Sequence, residues 1–202
     1  MRIPVSRAQA LVLLLLATVM AVTTAADVAR SKADADAMLR KIAIIATHGL
    51  AERPAARQTA VTERELNSFL AIHARSEIPP GVMDPAVSID DAGRLTARAI
   101  VDLDEVRKAR QGEAFGVLSL VSGRVPVEAT GVLRTGAGSG QFTLEAAYVS
   151  GVPVPKTLLQ EVVSYYSRSA ENPGGIDIEA PFELPVNIRE IQTRKGEAIV
   201  VQ

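Results

Sequence analysis

The 202-residue sequence contains no cysteine, so disulfides, thiol nucleophiles and Cys-ligated zinc are all excluded. Tryptophan is also absent, and four Phe with three Tyr hold the aromatic share to 3%. That removes the stacking platforms on which unpaired bases are read. Only two histidines occur, His48 and His73, and no His-Glu-x-x-His spacing joins them. An excess of charge of one sign is missing too: 22 Lys and Arg meet 23 Asp and Glu. Nucleic-acid affinity depends on clustered cations, so no nucleic-acid partner is expected. There is no Asn-x-Ser/Thr acceptor, no Gly-Lys-Ser/Thr phosphate loop and no Gly-x-Ser-x-Gly elbow. No cofactor, metal or catalytic residue can be nominated.

Long apolar runs are missing everywhere except at the N-terminus. There Arg2 and Arg7 precede the run 8–22, and the small residues Thr23, Thr24, Ala25 and Ala26 follow. This order of basic, apolar and small segments predicts a signal peptide over residues 1–26, cleaved after Ala25 or Ala26. The run is shorter than the roughly 20 residues of a spanning helix, which leaves an uncleaved anchor as the second reading. Export without disulfides fits a bacterial envelope, in the periplasm or outside the cell, with membrane association if the segment is retained. Cleavage lowers Lys plus Arg from 22 to 20 against 23 acids, a net charge of about −3.

What is present is amphipathic pattern. In the stretch 141–168, Phe142, Leu144, Ala146 and Tyr148 alternate as one face of a strand. Gly151, Pro153 and Pro155 then turn the chain. Leu158, Leu159, Val162, Val163 and Tyr166 follow at helical spacing, opposite Lys156, Gln160, Glu161, Ser164 and Arg168. Such a helix is expected to fold back over the sheet. Upstream, residues 27–50 read as a helix with Met38, Leu39, Ile42, Ile45 and Ala46 on one face and Gly49 as its stop. Residues 51–60 read as a linker or a short edge strand. Thr62 and Glu65 form a capping box for a helix carrying Leu66, Phe69, Leu70 and His73, ended by Pro79, Pro80 and Gly81.

Hairpins are expected over 83–103 and 124–149, turning at residues 90–93 and 135–140, with a third over 186–201 turning at 194–196. Asp104 is placed as the cap of a short helix between the first two. A strand is read over 176–184, and the slip in alternation at residues 188–191 suggests a bulge. The resulting fold class is α+β. A signal peptide precedes a curved antiparallel sheet of about six to seven strands packed against two or three amphipathic helices. The domain organisation is 1–26, an N-terminal helix and linker over 27–60, and one α+β domain over 61–202.

Chemistry-bearing patterns have structural readings. The glycines of 136–140 join two strands with no helix after them, so they read as a hairpin tip and not as a phosphate loop. The acids Asp90, Asp91, Asp102, Asp104 and Glu105 lack calcium-loop spacing and stand where turns and caps use acids. His73 lies on the apolar side of its helix, and His48 lies near a helix end where a cation suits the dipole.

The run Thr62-Glu63-Arg64-Glu65-Leu66-Asn67-Ser68-Phe69-Leu70, with the strand–Gly151-Val152-Pro153-Val154-Pro155–helix unit, resembles exported bacterial domains of the LmeA-like and YpmS-like kind. These are similar to half of a tubular lipid-binding (TULIP-like) fold. The resemblance covers residues 61–202 in element order and implies lipid binding in the cell envelope.

The sequence therefore leads to an exported, non-catalytic protein that binds a lipid or other apolar small molecule between sheet and helix. Phe69, Leu70, Leu158, Leu159, Val162, Val163 and Tyr166 line that site, and Arg98, Lys156 and Arg168 form its rim. The alternative is a structural module docking on another envelope protein, through a strand edge or the apolar segment 115–121 (Phe115, Val117, Leu118, Leu120, Val121).

Overall fold

The computed structural model describes residues 30–51, 55–109, 122–168 and 173–202. The anticipated signal peptide and the segment 115–121 lie outside them. Helix α1 (Lys32–Gly49) starts where the Ser31 hydroxyl accepts the Asp34 amide at 3.0 Å. It runs through Gly49 and is capped at Leu50, one residue beyond the expected stop. Strand β1 (Gln58–Thr62) leads directly into α2 (Glu63–Ile72), and both halves of the capping box form. The Glu65 amide donates to Thr62 Oγ1 at 3.2 Å, and the Thr62 amide donates to Glu65 Oε2 at 2.8 Å.

After α2 come β2 (Val82–Ile89), a single 3-10 turn (Asp91–Gly93), β3 (Arg94–Asp102) and the short α3 (Leu103–Ala109). The cap of α3 is Asp102, whose Oδ1 accepts the Glu105 amide at 3.1 Å, and not Asp104. Asp104 instead accepts from the Gly123 amide and from Arg107, both at 2.9 Å. Then follow β4 (Arg124–Gly136), β5 (Ser139–Val149), β6 (Val152–Pro153), α4 (Lys156–Ser167), β7 (Phe182–Glu183), β8 (Glu190–Arg194) and β9 (Glu197–Val201).

The class is α+β, with every strand pairing antiparallel. Six strands form one sheet in the order β2-β3-β4-β5, with β6 and β7 both on β5; three form a second, β1-β9-β8. The two-residue turns Ala137-Gly138 and Ser150-Gly151 have positive φ at both positions (50° and 83°, 51° and 77°). This mirror-image geometry matches the right-handed twist of the flanking strands.

Three sequence expectations about the strands fail for identifiable reasons. Along β5 the register shifts, so that Gly131 faces Leu144 while Thr130 faces Ala146, leaving Glu145 as an extra residue. The bulge reverses the parity of the strand. Leu144 and Ala147 are buried, whereas Tyr148 is 38% exposed on the other face. The expected common face of Phe142, Leu144, Ala146 and Tyr148 therefore splits in two. The strand read over 176–184 shrinks to Phe182–Glu183. Residues 176–178 bond to α4 instead: Gln160 Nε2 and Ser164 Oγ donate to the Ile176 carbonyl at 3.0 and 3.1 Å. The Ile176 amide donates to Ser167 Oγ at 2.6 Å, and the Ile178 amide to Gln160 Oε1 at 2.9 Å. The slip at 188–191 is likewise no bulge; β8 starts at Glu190, after a turn with positive φ at Val186 and Asn187.

Side chains complete the backbone pairing elsewhere too. Asn67 donates to the Val87 carbonyl at 2.9 Å and accepts its amide at 2.7 Å, on the outer edge of β2. Glu63 accepts the Ile89 amide at 2.8 Å. Thr135 does for Ile191 what Asn67 does for Val87, at 3.0 and 2.8 Å, and so joins β4 to β8. These contacts occupy backbone groups on the outer edges of β2 and β8, where a foreign strand would otherwise add. The buried cluster Ile45, Leu184 and Ile188, flanked by Val186, Ile191 and Val200, ties α1 to the three-stranded sheet. Gly49 makes that approach possible, since a Cβ there would lie 1.8 Å from the Val186 carbonyl oxygen.

Candidate functional site

The two faces of the six-stranded sheet differ in chemistry. Leu95, Ala97, Ala99 and Val101 on β3 pair with Gly131, Ala129, Val127 and Val125 on β4, which continue into Leu144, Ala147 and Val149 on β5. The other face carries the cross-strand ion pairs Arg94–Glu145 and Arg98–Glu128, each 2.7 Å, and Arg124–Asp102 at 3.2 Å. Thr96 and Thr130 share a 3.1 Å hydroxyl bond between them. That face is wet, as the alternation of Arg94, Thr96 and Arg98 predicts. On the apolar face Leu144, Ala147 and Gly131 are buried, Ala97 is exposed, and Ala99, Val101, Val125, Val127, Ala129 and Val149 are half-buried.

The residues expected to line a ligand site fall on two elements. Phe69 and Leu70 sit on α2, half-buried, and α2 packs against α1, β1 and β2. Leu158, Leu159, Val162 and Val163 sit on α4, half-buried, and α4 packs against β5. The Tyr166 side chain is outside the described part. The rim cations are partnered within the chain. Arg98 pairs with Glu128, Lys156 with Glu179, and the Arg168 guanidinium lies 5.6 Å from the centre of the Tyr165 ring. Lys156 is the main cause holding the Glu179 carboxyl below its ordinary value. Glu179 Oε1 also accepts the Leu144 amide at 2.9 Å, which anchors the 176–180 segment to β5.

Three surface hollows stand out. One of about 650 Å³ lies between Thr62, Glu63, Arg64, Asp90 and the Lys195–Gly196 turn. It is a junction of backbone bonds, Glu63 amide to Gly196 carbonyl and Gly196 amide to Ile89 carbonyl, both 2.8 Å. A second, of about 520 Å³, lies on the ion-paired face and is lined by Asp84, Arg98, Ile100, Pro126, Glu128 and Tyr148. Of the sequence candidates only Arg98 borders it. Tyr148 was missed there because the Glu145 bulge turns it outward, beside Ile100, which shares the face of Arg94, Thr96 and Arg98 on β3. The adjacent pair Ala146-Ala147 is the one sequence sign of that break in alternation. The third, of about 490 Å³, flanks the end of α1 and is lined by Ala43, Ile44, Thr47, His48, Ala51 and Arg57.

The ionisable groups act as fasteners. His73 Nε2 donates to Asp36 Oδ1 at 2.8 Å, joining α2 to α1, and His48 Nε2 donates to the Ala55 carbonyl at 2.8 Å. Hydrogen bonds from Lys32, then His73, hold the Asp36 carboxyl below its ordinary value. Asp102 is lowered by the Glu105 amide and then Arg124. Among the described residues no three metal-capable side chains converge, and no helix is long and apolar enough to cross a membrane. No protein-family model, curated protein or solved structure matches this chain.

Proposed function

We propose that this chain is an exported, non-catalytic protein of the bacterial envelope, of the LmeA-like and YpmS-like kind. In this reading it binds a lipid or other apolar molecule between its six-stranded sheet and α4. One observation carries the reading. The Ala- and Val-rich sheet face and the apolar stripe of α4 both remain half-accessible, while the buried cluster of Ile45, Leu184 and Ile188 sits at the other sheet. Small side chains on the sheet leave room for an acyl chain where larger ones would close-pack. Each buried methylene contributes about 0.8 kcal/mol, so a chain of about ten offers on the order of 8 kcal/mol before ordering costs.

The test is native mass spectrometry of the purified chain with solvent extraction, together with uptake of a fluorescent fatty acid. The expected result is a co-purifying hydrophobe and saturable uptake, lowered about tenfold or more by Ala129→Phe, which fills the apolar face. A folded chain that carries no hydrophobe and takes up none would sink the proposal. Export is tested separately by N-terminal sequencing of the cellular protein, expected to begin at Ala26 or Asp27.

A further inference from the structure

Helix α1 does not bury the face that its pattern predicts. Ile45 is 8% exposed, but Leu39 and Ile42 stand at 46% and 36%, and Ile44 and Leu50 at 40% and 79%. At about 100° per residue, positions 39, 42, 43, 46 and 50 fall within about 100° of arc, a stripe along the outside of the helix. The hollow of about 490 Å³ borders it at Ala43, Ile44 and Ala51.

Among the described residues the unpaired charges beside this stripe are cationic. Arg40 is exposed on α1, and Arg57 lines the hollow with His48. Neither arginine has an ion-pair partner among the described residues. The acids of α1 are engaged elsewhere, Asp34 with Ser31 and Arg64, and Asp36 with Lys32 and His73. An apolar stripe bordered by unpaired cations thus stands on a chain whose net charge is −1. The stripe is Leu, Ile and Ala, without the Trp or Tyr anchors that dominate protein–protein contacts.

We infer that the outer face of α1 is a docking surface for an anionic lipid bilayer. In this arrangement α1 lies in the interfacial plane, Leu39, Ile42 and Leu50 enter the acyl boundary, and Arg40 and Arg57 meet the phosphates. The chemistry suits a surface that demands neither shape nor directional bonds. In the sequence, α1 is also the first described element after the apolar run 8–22. The inference does not depend on a ligand between sheet and α4.

Because the chain lacks cysteine, Leu50→Cys places an environment-sensitive fluorophore at a single site in the full chain, and Lys195→Cys on the β8–β9 turn serves as the reference. Vesicles rich in phosphatidylglycerol should blue-shift the label at position 50 and leave that at 195 unchanged. Leu39→Glu in the position-50 labelled chain should weaken the blue-shift titration about tenfold or more while leaving the thermal midpoint unaltered, because the side chain is half-exposed. Arg40→Gln with Arg57→Gln should weaken it for anionic vesicles and not for phosphatidylcholine vesicles. An unshifted label at position 50, even where the chain sediments with vesicles through its N-terminal run, would overturn the inference. A blue shift that rises with protein concentration in the absence of lipid would overturn it too, in favour of a second copy of the chain.

Discussion

Asn67→Ala removes two hydrogen bonds from a strand edge and leaves the fold around them otherwise unchanged. The side chain is 6% exposed and holds both the amide and the carbonyl of Val87, at 2.7 and 2.9 Å. Where water can replace a lost bond the net cost is about 0.5–1.5 kcal/mol, and where it cannot the orphaned group costs about 1–3 kcal/mol. Val87 is half-buried, so each of its two groups falls between these limits and the sum is about 3 kcal/mol. With a urea slope of about 2 kcal/mol per molar, the unfolding midpoint should fall by about 1.5 M. Asn67→Asp should fare no better. It keeps an acceptor for the Val87 amide but sets a second carboxylate oxygen against the Val87 carbonyl. Urea titration followed by circular dichroism reads the global term, and amide exchange at Val87 reads the local one. A loss under about 0.5 kcal/mol with the Val87 amide still protected would show that β2 does not depend on α2 for its outer edge.

Gly49→Ala should cost about 3 kcal/mol or more, because its methyl would lie 1.8 Å from the Val186 oxygen and force α1 away from the buried cluster. Calorimetry should show a lower midpoint, and an unchanged one would refute the close approach. The Glu65 carboxyl predicts a pH limb. Burial pushes its pKa up, but the bond from Lys41 at 2.7 Å and those from the Thr62 amide and hydroxyl outweigh it. The folded value therefore lies below the ordinary 4.5. A group depressed by folding stabilises fully above its unfolded value, so this contribution is lost as pH falls below 4.5. Glu65→Gln should flatten the acid side of the stability profile and leave its slope above pH 6 unchanged, within roughly the error of the fits. An acid limb as steep as that of the parent chain would exclude Glu65 as its source.

The parts of this fold that are legible in the sequence are those whose signals are local. Thr62 and Glu65 announce α2 because a capping box is complete within four residues. The three long hairpins are announced by turn residues next to alternating runs. What stays hidden is set by partners distant in the chain. Residues 176–180 alternate like a strand, yet the backbone bonds of Ile176 and Ile178 go to Ser167 and to Gln160 and Ser164, the last two of which read as part of a solvated face of α4. In α1, residues 38–50 are apolar over most of the circumference. Whether Ile45 or Leu39 faces inward is decided by where Val186 and Gly49 meet, which periodicity does not encode. Of the candidate site, the chemistry of the two sheet faces was readable from β3 and β4. The placement of Tyr148 was not, since the adjacent Ala146-Ala147 pair fits either phase of the alternation and does not by itself say where the added residue falls.

That added residue makes β5 a strand with two allegiances. Ahead of Glu145 it lends its bulky groups to the interior, and past it the same alternation is spent on the outside, with Tyr148 among the cross-strand ion pairs. Deleting a single codon at position 145 would therefore straighten the ladder without reversing either half, because Leu144 already sits opposite Gly131 and Ala146 opposite Thr130. Tyr148 would keep its place opposite Glu128 and Val149 its place opposite Val127, and the loss would fall on the Arg94–Glu145 ion pair, which only the added residue makes possible.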